Sequence, residues 1–286
     1  MEERISSVYN DYRKGRSNRR NFIRKLTMIT GSTAAAMALL PILEDNLAIA
    51  ADAKKQKELK ITADFIKYPA ASGEMRAYLA RPAKGKLFPA VIVIHENRGL
   101  VPHIQDVTRR MAREGFLALA PDALSPLGGT PEDDSNTPEL IRKLDNEETV
   151  KNFVAAVKFL KTHPVSNGKV GCTGFCWGGA MTNQVAVNSP ELDAAIPWYG
   201  RQPSAEEAAR IKAPVMAHYA ENDPGINAGI ADFEEALKKN YTEHYFFTYP
   251  GTGHAFNNDT NPSRYNAEAA QLAWARTVGF LKEKLK

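Results

Sequence analysis

One hexapeptide constrains this chain more than any other stretch: Gly174-Phe175-Cys176-Trp177-Gly178-Gly179. Residues 169–173 before it predict a short buried strand, and residues 180–187 after it predict a helix. A residue set between the two turns sharply, at backbone dihedrals that leave little room for bulk nearby. Gly174 and Gly178, two residues either side of Cys176, supply that room. A strand–turn–helix of this kind presents its central side chain as a nucleophile, and here that side chain is a thiol. The alternative is a buried structural cysteine beside a glycine turn, and the rest of the chain decides between them.

Residues 90–94 are a continuous apolar run rich in β-branched side chains, as in a strand buried on both faces of a parallel sheet. Residues 59–66 and 75–79 predict a strand pair joined by the turn at 71–73. Helical spacing over 103–114, 148–162, 228–239 and 262–285 alternates with further strands at 116–120, 194–199, 215–219 and 244–249. The alternation predicts an α/β fold, a doubly wound, mostly parallel sheet with helices on both faces. Sites in such sheets lie beyond the carboxyl ends of the strands. That rule selects the segments 95–100, 121–128, 176–178, 199–202, 220–224 and 250–256.

The chain has 286 residues, a size that α/β folds reach as one domain. Residues 1–50 carry 8 Lys/Arg against 5 Asp/Glu, most of the net charge of +4, so the remainder is close to balanced. No basic face for nucleic acid follows from that balance. The two cysteines, Cys172 and Cys176, flank a predicted strand end and are not placed to bridge; Cys172 is expected in the core and Cys176 as a free thiol.

The N-terminus reads as an address. Arg19-Arg20-Asn21-Phe22 precedes a moderately apolar run over 26–43, and Ala48-Ile49-Ala50 and Ala51-Asp52-Ala53 offer small-residue cleavage sites. The paired arginines with Phe two positions on resemble a twin-arginine signal, with Asn18 where Ser or Thr is usual. We therefore expect residues 1–53 to be an export signal read by the twin-arginine machinery, residues 54–286 to be one catalytic domain, and the destination to be the periplasm. Gly31, Ser32, Thr33 and Pro41 break the apolar run, so no stable membrane span is expected in the mature protein.

Two predicted strand ends carry the partners that a thiol nucleophile needs. Asp223 stands in the turn after strand 215–219, and His254 in a glycine-rich loop after strand 244–249. The chain order Cys176, Asp223, His254 is the nucleophile–acid–histidine order of α/β-hydrolases. In that arrangement His254 takes the thiol proton and returns it to the leaving group, while Asp223 holds the imidazole in one tautomer. Taken singly, Asp223 could open a turn, Glu221 is a rival acid, and His254 could be a loop histidine; their joint order carries the reading.

Gly174-Phe175-Cys176-Trp177-Gly178-Gly179, Asp223 and Gly253-His254-Ala255-Phe256 together resemble the dienelactone hydrolase family over about residues 59–286. The resemblance implies a single-domain α/β-hydrolase acting on esters or lactones, with no cofactor and no metal, and the leading reading adds thioesters as substrates of a cysteine nucleophile. The resemblance implies an oxyanion hole from the backbone N–H groups of Trp177 and Asn97, and a role for Glu96 in keeping the resting thiol protonated. It also exposes a departure. The two arginines that grip a substrate carboxylate in the family are absent, since Ala123-Leu124-Ser125-Pro126 and Asn258 stand at the matching places. Arg98, Tyr199 and Arg201 lie at the active end as candidate substrate contacts. Two other classes compete with a hydrolase. A binding protein on the same fold would show a broken triad, and a thiol redox enzyme would show a CxxC pair; the chain has neither feature.

Overall fold

The computed structural model describes residues 8, 11–12, 16–30 and 59–286. By contact density the chain divides into two compact units, residues 1–55 and 56–286. In the first unit helix α1 (Arg19–Thr30) carries the paired arginines at its start, and Tyr12 stacks on Phe22. The apolar run beyond residue 30 and both small-residue cleavage sites lie outside the described residues.

The second unit is built on one sheet of eight strands: β1 (Ile61–Ala70), β2 (Gly73–Pro82), β3 (Phe88–Ile94), β4 (Leu117–Pro121), β5 (Ser166–Phe175), β6 (Ala194–Trp198), β7 (Val215–Asn222) and β8 (His244–Gly253). Their spatial order is β1-β2-β4-β3-β5-β6-β7-β8. The β1–β2 and β2–β4 pairs are antiparallel, and every later pair is parallel. The sheet is thus mostly parallel, as the alternation predicts. The first hairpin turns over Ala71-Ser72, with Gly73 at φ 96° on the left-handed side that glycine tolerates.

Side chains of the central strands alternate between two cores. Ala90, Ile92 and Ile94 of β3 join one, while Val91 and Val93 join the other, which is why the sequence shows no polar position there. The first core is covered by helices α4 (Asn146–Lys161), α5 (Trp177–Asn188) and α8 (Ile230–Lys239), through Phe153, Val157, Val185 and Phe233. The second is covered by α2 (Pro102–Arg113) and α9 (Ala267–Lys284), through Ile104, Val107, Met111, Ala273 and Leu281. Helix α4 starts where Asp145 accepts the Glu148 N–H at 2.8 Å, with Glu147 and Glu148 in the first turn and Lys158 and Lys161 in the last. Three short helices escape the periodicity reading: α3 (Thr137–Arg142), α6 (Ala205–Ala208) and α7 (Pro224–Asn227). They are too short to show a repeat.

Strands β7 and β8 run three and four residues further than the apolar pattern suggests, to Asn222 and Gly253. Those two end residues are register partners, so the residues that follow them, Asp223 and His254, emerge side by side. Among the described residues no helix is long and apolar enough to cross a membrane.

Candidate active site

The elbow is built by exclusion. Cys176 sits between β5 and α5 at φ 56° and ψ −116°, a left-handed conformation that a non-glycine residue adopts at a cost of about 1–3 kcal/mol. Its N–H donates to the Trp198 carbonyl at 3.0 Å. A Cβ at Gly178 would strike the carbonyl oxygens of Ile94 and His95, and one at Gly174 would strike the Gly178 carbonyl. Gly179 packs in the same way on Trp198 and Gly200. The glycines flanking the cysteine therefore let α5 approach the ends of β3 and β6 at backbone contact.

Asp223 and His254 meet as their order suggests: His254 Nδ1 lies 2.6 Å from Asp223 Oδ2. The carboxylate accepts a hydrogen bond from Nδ1–H, which fixes the proton there and leaves Nε2 as the unprotonated nitrogen. Asp223 does open a turn through its carbonyl, which accepts the N–H groups of Ile226 and Asn227, but its side chain makes no cap and turns to the histidine. The rival acid Glu221 is used elsewhere, accepting the Gly251 N–H at 2.8 Å and so bracing the end of β8.

The thiol itself is not hydrogen bonded to His254 among the described residues. Burial pushes it up to about 11, helped by the negative charges of Glu96 and Asp223 and opposed by the Trp177 N–H and by Arg264. At neutral pH the resting group is a protonated thiol. Glu96 is half-buried and accepts from Asn258 Nδ2 at 2.8 Å. Asn258 therefore holds a carboxylate that lies within electrostatic reach of the sulfur. Cys172 lies in the core, its sulfur 3.7 Å from Thr182 Oγ1, and burial raises it to about 12. Both cysteines are free.

The candidate substrate contacts separate. Tyr199, at φ 36°, is buried with its ring edge-on to His254 at 5.1 Å. Its hydroxyl lies near the Asn257 N–H without a well-formed hydrogen bond, and burial, Glu96 and Cys176 raise its pKa well above that of a free phenol. Arg98 is exposed and pairs with Asp134 at 3.0 Å, so it is an ion-paired surface cation. Arg201 lines a cleft of about 540 Å³ with Ser204, Asp232 and Lys239, whereas His254 lines another, of about 590 Å³.

That second cleft contains a residue the sequence reading missed. Arg264 lines it with His254 and Tyr265, lies within electrostatic reach of the Cys176 sulfur, and makes no ion pair among the described residues. It stands ten positions beyond the histidine, in a loop whose path no periodicity reveals. The loop is pinned by Asp259, which pairs with Arg110 at 2.6 Å and His103 at 3.3 Å on α2. Among the described residues no group of three or more His, Cys, Asp or Glu side chains is arranged to hold a metal ion.

The chain is similar to known proteins in sequence and in fold. Residues 75–285 match the dienelactone hydrolase family. A protein of Methylorubrum extorquens that carries the provisional name carboxymethylenebutenolidase is 34% identical over 272 residues, covering 88% of this chain and 89% of its own length. The crystal structure of a provisionally named dienelactone hydrolase from Klebsiella pneumoniae superposes with a TM-score of 0.70 at 29% identity, over 78% of this chain and 99% of that one. A dienelactone hydrolase-like promiscuous phosphotriesterase from metagenomic libraries shares the fold, with a TM-score of 0.70 at 22% identity over 79% of this chain and 99% of its own. A mostly parallel sheet with an elbow at its centre and a family match across nearly the whole second unit lead to one conclusion: the chain is an α/β-hydrolase of the dienelactone hydrolase family.

Proposed function

We propose that the protein hydrolyses a carboxylic ester, lactone or thioester through a cysteine nucleophile, Cys176. The observation that carries this reading is the 2.6 Å Asp223–His254 pair, set at the ends of neighbouring strands on the side of the sheet where the elbow turns. In the proposed cycle His254 Nε2 takes the thiol proton and the sulfur attacks the acyl carbon. The resulting oxyanion is held by the N–H groups of Trp177 and Asn97. Collapse expels the alcohol, thiol or ring oxygen, which receives the proton from His254, and leaves an acyl-thioester on Cys176. Water, deprotonated by the same nitrogen, releases the acid and restores the thiol. No metal or organic cofactor enters any step.

Substrate preference is read from the positions at which the resemblance expects carboxylate-binding arginines. The names of the relatives point to an enol lactone, but neither family arginine is present here, and Asn258 is committed to Glu96. We therefore propose ester or lactone hydrolysis without the family's two-arginine grip on a substrate carboxylate, Arg264 being the cation that lines the His254 cleft. Assay of residues 54–286 against esters, lactones and thioesters tests the reading, with Cys176→Ala as control. The expected outcome is turnover that Cys176→Ala and iodoacetamide both abolish. Inertness across the panel with an unreactive Cys176 would favour a binding protein, and peroxide consumption with a thiol reductant would favour a redox enzyme. A carboxymethylenebutenolide turned over faster than simple aryl esters would contradict the substrate assignment.

The N-terminal proposal is separate. Residues 1–53 are proposed as a twin-arginine export signal that delivers the folded enzyme to the periplasm, supported by Arg19-Arg20 at the head of α1. Two unbridged cysteines fit a protein folded before export, since no disulfide has to form afterwards.

A further inference from the structure

We propose that His95 is the positioning residue of the oxyanion hole: its ring holds the Glu96–Asn97 peptide so that the Asn97 N–H faces the reacting carbonyl. The inference rests on the reading of Asn97 and Trp177 as the hole's donors and adds the group that sets one of them. His95 follows the last residue of β3 and is completely buried. Its two ring nitrogens have different partners. The Ala123 N–H donates to Nε2 at 3.1 Å, so that nitrogen carries no proton and the ring proton sits on Nδ1. Nδ1–H in turn donates to the Glu96 carbonyl at 2.6 Å.

That carbonyl belongs to the same peptide unit as the Asn97 N–H. Across a trans peptide the two groups point in opposite directions, so a ring that grips the oxygen turns the N–H away from itself. The Asn97 N–H has no hydrogen-bond partner among the described residues. Ile94 and Gly174 are register partners on adjacent parallel strands, so residues 95–97 and the elbow emerge side by side. The ring also stacks on the Trp177 indole, at 5.4 Å and 18°, and thereby touches the residue that provides the other donor.

The anchor is rigid on its far side too. Ala123 follows Asp122, which is fully buried and accepts from the Leu124 N–H, the Thr130 N–H and Thr130 Oγ1 at 2.8–3.1 Å. Thr130 Oγ1 accepts the Leu100 N–H at 2.8 Å, which ties down the other end of the 95–100 segment. A buried histidine need not do any of this. His218 is equally buried, but its nitrogens meet the side chains of Tyr249 and Thr277 and hold no backbone group.

The test separates acylation, which needs the hole, from alkylation, which needs only the thiolate. In His95→Asn the amide nitrogen lies near the Nδ1 position and can still donate to the Glu96 carbonyl. In His95→Gln the amide lies near the Nε2 position, where it can accept from Ala123 but not hold the carbonyl. For p-nitrophenyl acetate, kcat/KM of His95→Gln is expected to fall about 10- to 100-fold, less than complete loss of an oxyanion donor produces. His95→Asn stays within a few-fold of the parent, and iodoacetamide alkylates Cys176 at the same rate in all three. Equal acylation by the two variants, or alkylation that falls in step with acylation, would overturn the proposal. If His95→Gln does not fold, His95→Ala with and without added imidazole gives the same answer: rescue of acylation supports the role, and no rescue opposes it. If Cys176 is not the nucleophile, iodoacetamide leaves the parent enzyme active, an outcome distinct from either.

Discussion

Glu96 and Arg264 act on the Cys176 sulfur with opposite sign, and their removal has opposite consequences. The carboxylate raises the thiol's pKa, so Glu96→Gln lowers it and enlarges the thiolate fraction at neutral pH. The guanidinium lowers it, so Arg264→Gln raises it and shrinks that fraction. Because the fraction changes tenfold for each pH unit between the pKa and the pH, each substitution is expected to alter the alkylation rate about three- to tenfold. Stopped-time iodoacetamide labelling followed by mass spectrometry measures both. In the parent enzyme the rate should climb with pH through the alkaline range and level off only near about 11. Variants that shift in the same direction would show that the two charges do not act on the thiol. Glu96 is legible only through the resemblance to the dienelactone hydrolase family, which implies a carboxylate near the thiol at this strand end. Arg264 was not legible, because only the folded course of the 254–266 loop returns it to the cleft.

At the scale of the elements, the approach of α5 to β3 carries the design. Gly178→Ala places a methyl group against the carbonyls of Ile94 and His95, two backbone atoms that cannot step aside. It is expected to lower stability by about 1–3 kcal/mol and to misplace the elbow. Gly279→Ala on α9 is the contrast. Nothing lies within 4 Å of its added Cβ, and a glycine inside an exposed helical stretch is worse than alanine by about 0.5–1 kcal/mol. That variant should be slightly more stable and fully active. Urea melts of both check the pair, and a Gly178→Ala as stable as the parent would remove the packing argument. Elements with a strong period were legible within a few residues: α2 is predicted over 103–114 and runs Pro102–Arg113. Strands β7 and β8 were read short because their last residues, Glu221-Asn222 and Pro250 to Gly253, are polar or turn-forming. They remain in the sheet because β-ladder pairing continues past the buried stretch. That extension is what brings Asp223 and His254 level with each other.

For the whole molecule, two units divide the chain near the end of the proposed signal, at residues 1–55 and 56–286. Export by the twin-arginine route predicts that changing Arg19 and Arg20 together to Lys keeps the enzyme folded and active but holds it in the cytoplasm. Fractionation of cells expressing the full chain measures this, and unchanged periplasmic delivery would contradict it. The central claim is narrower than the family: that acyl transfer passes through the sulfur of Cys176, a thiol that rests protonated and is turned into a nucleophile by His254. The most direct measurement is an acid quench during turnover of p-nitrophenyl acetate, followed by peptide mapping by mass spectrometry. The account predicts one acetyl group on the peptide that contains Cys176, absent in Cys176→Ala. An acetyl group on any other residue, or full turnover by Cys176→Ala, would contradict it.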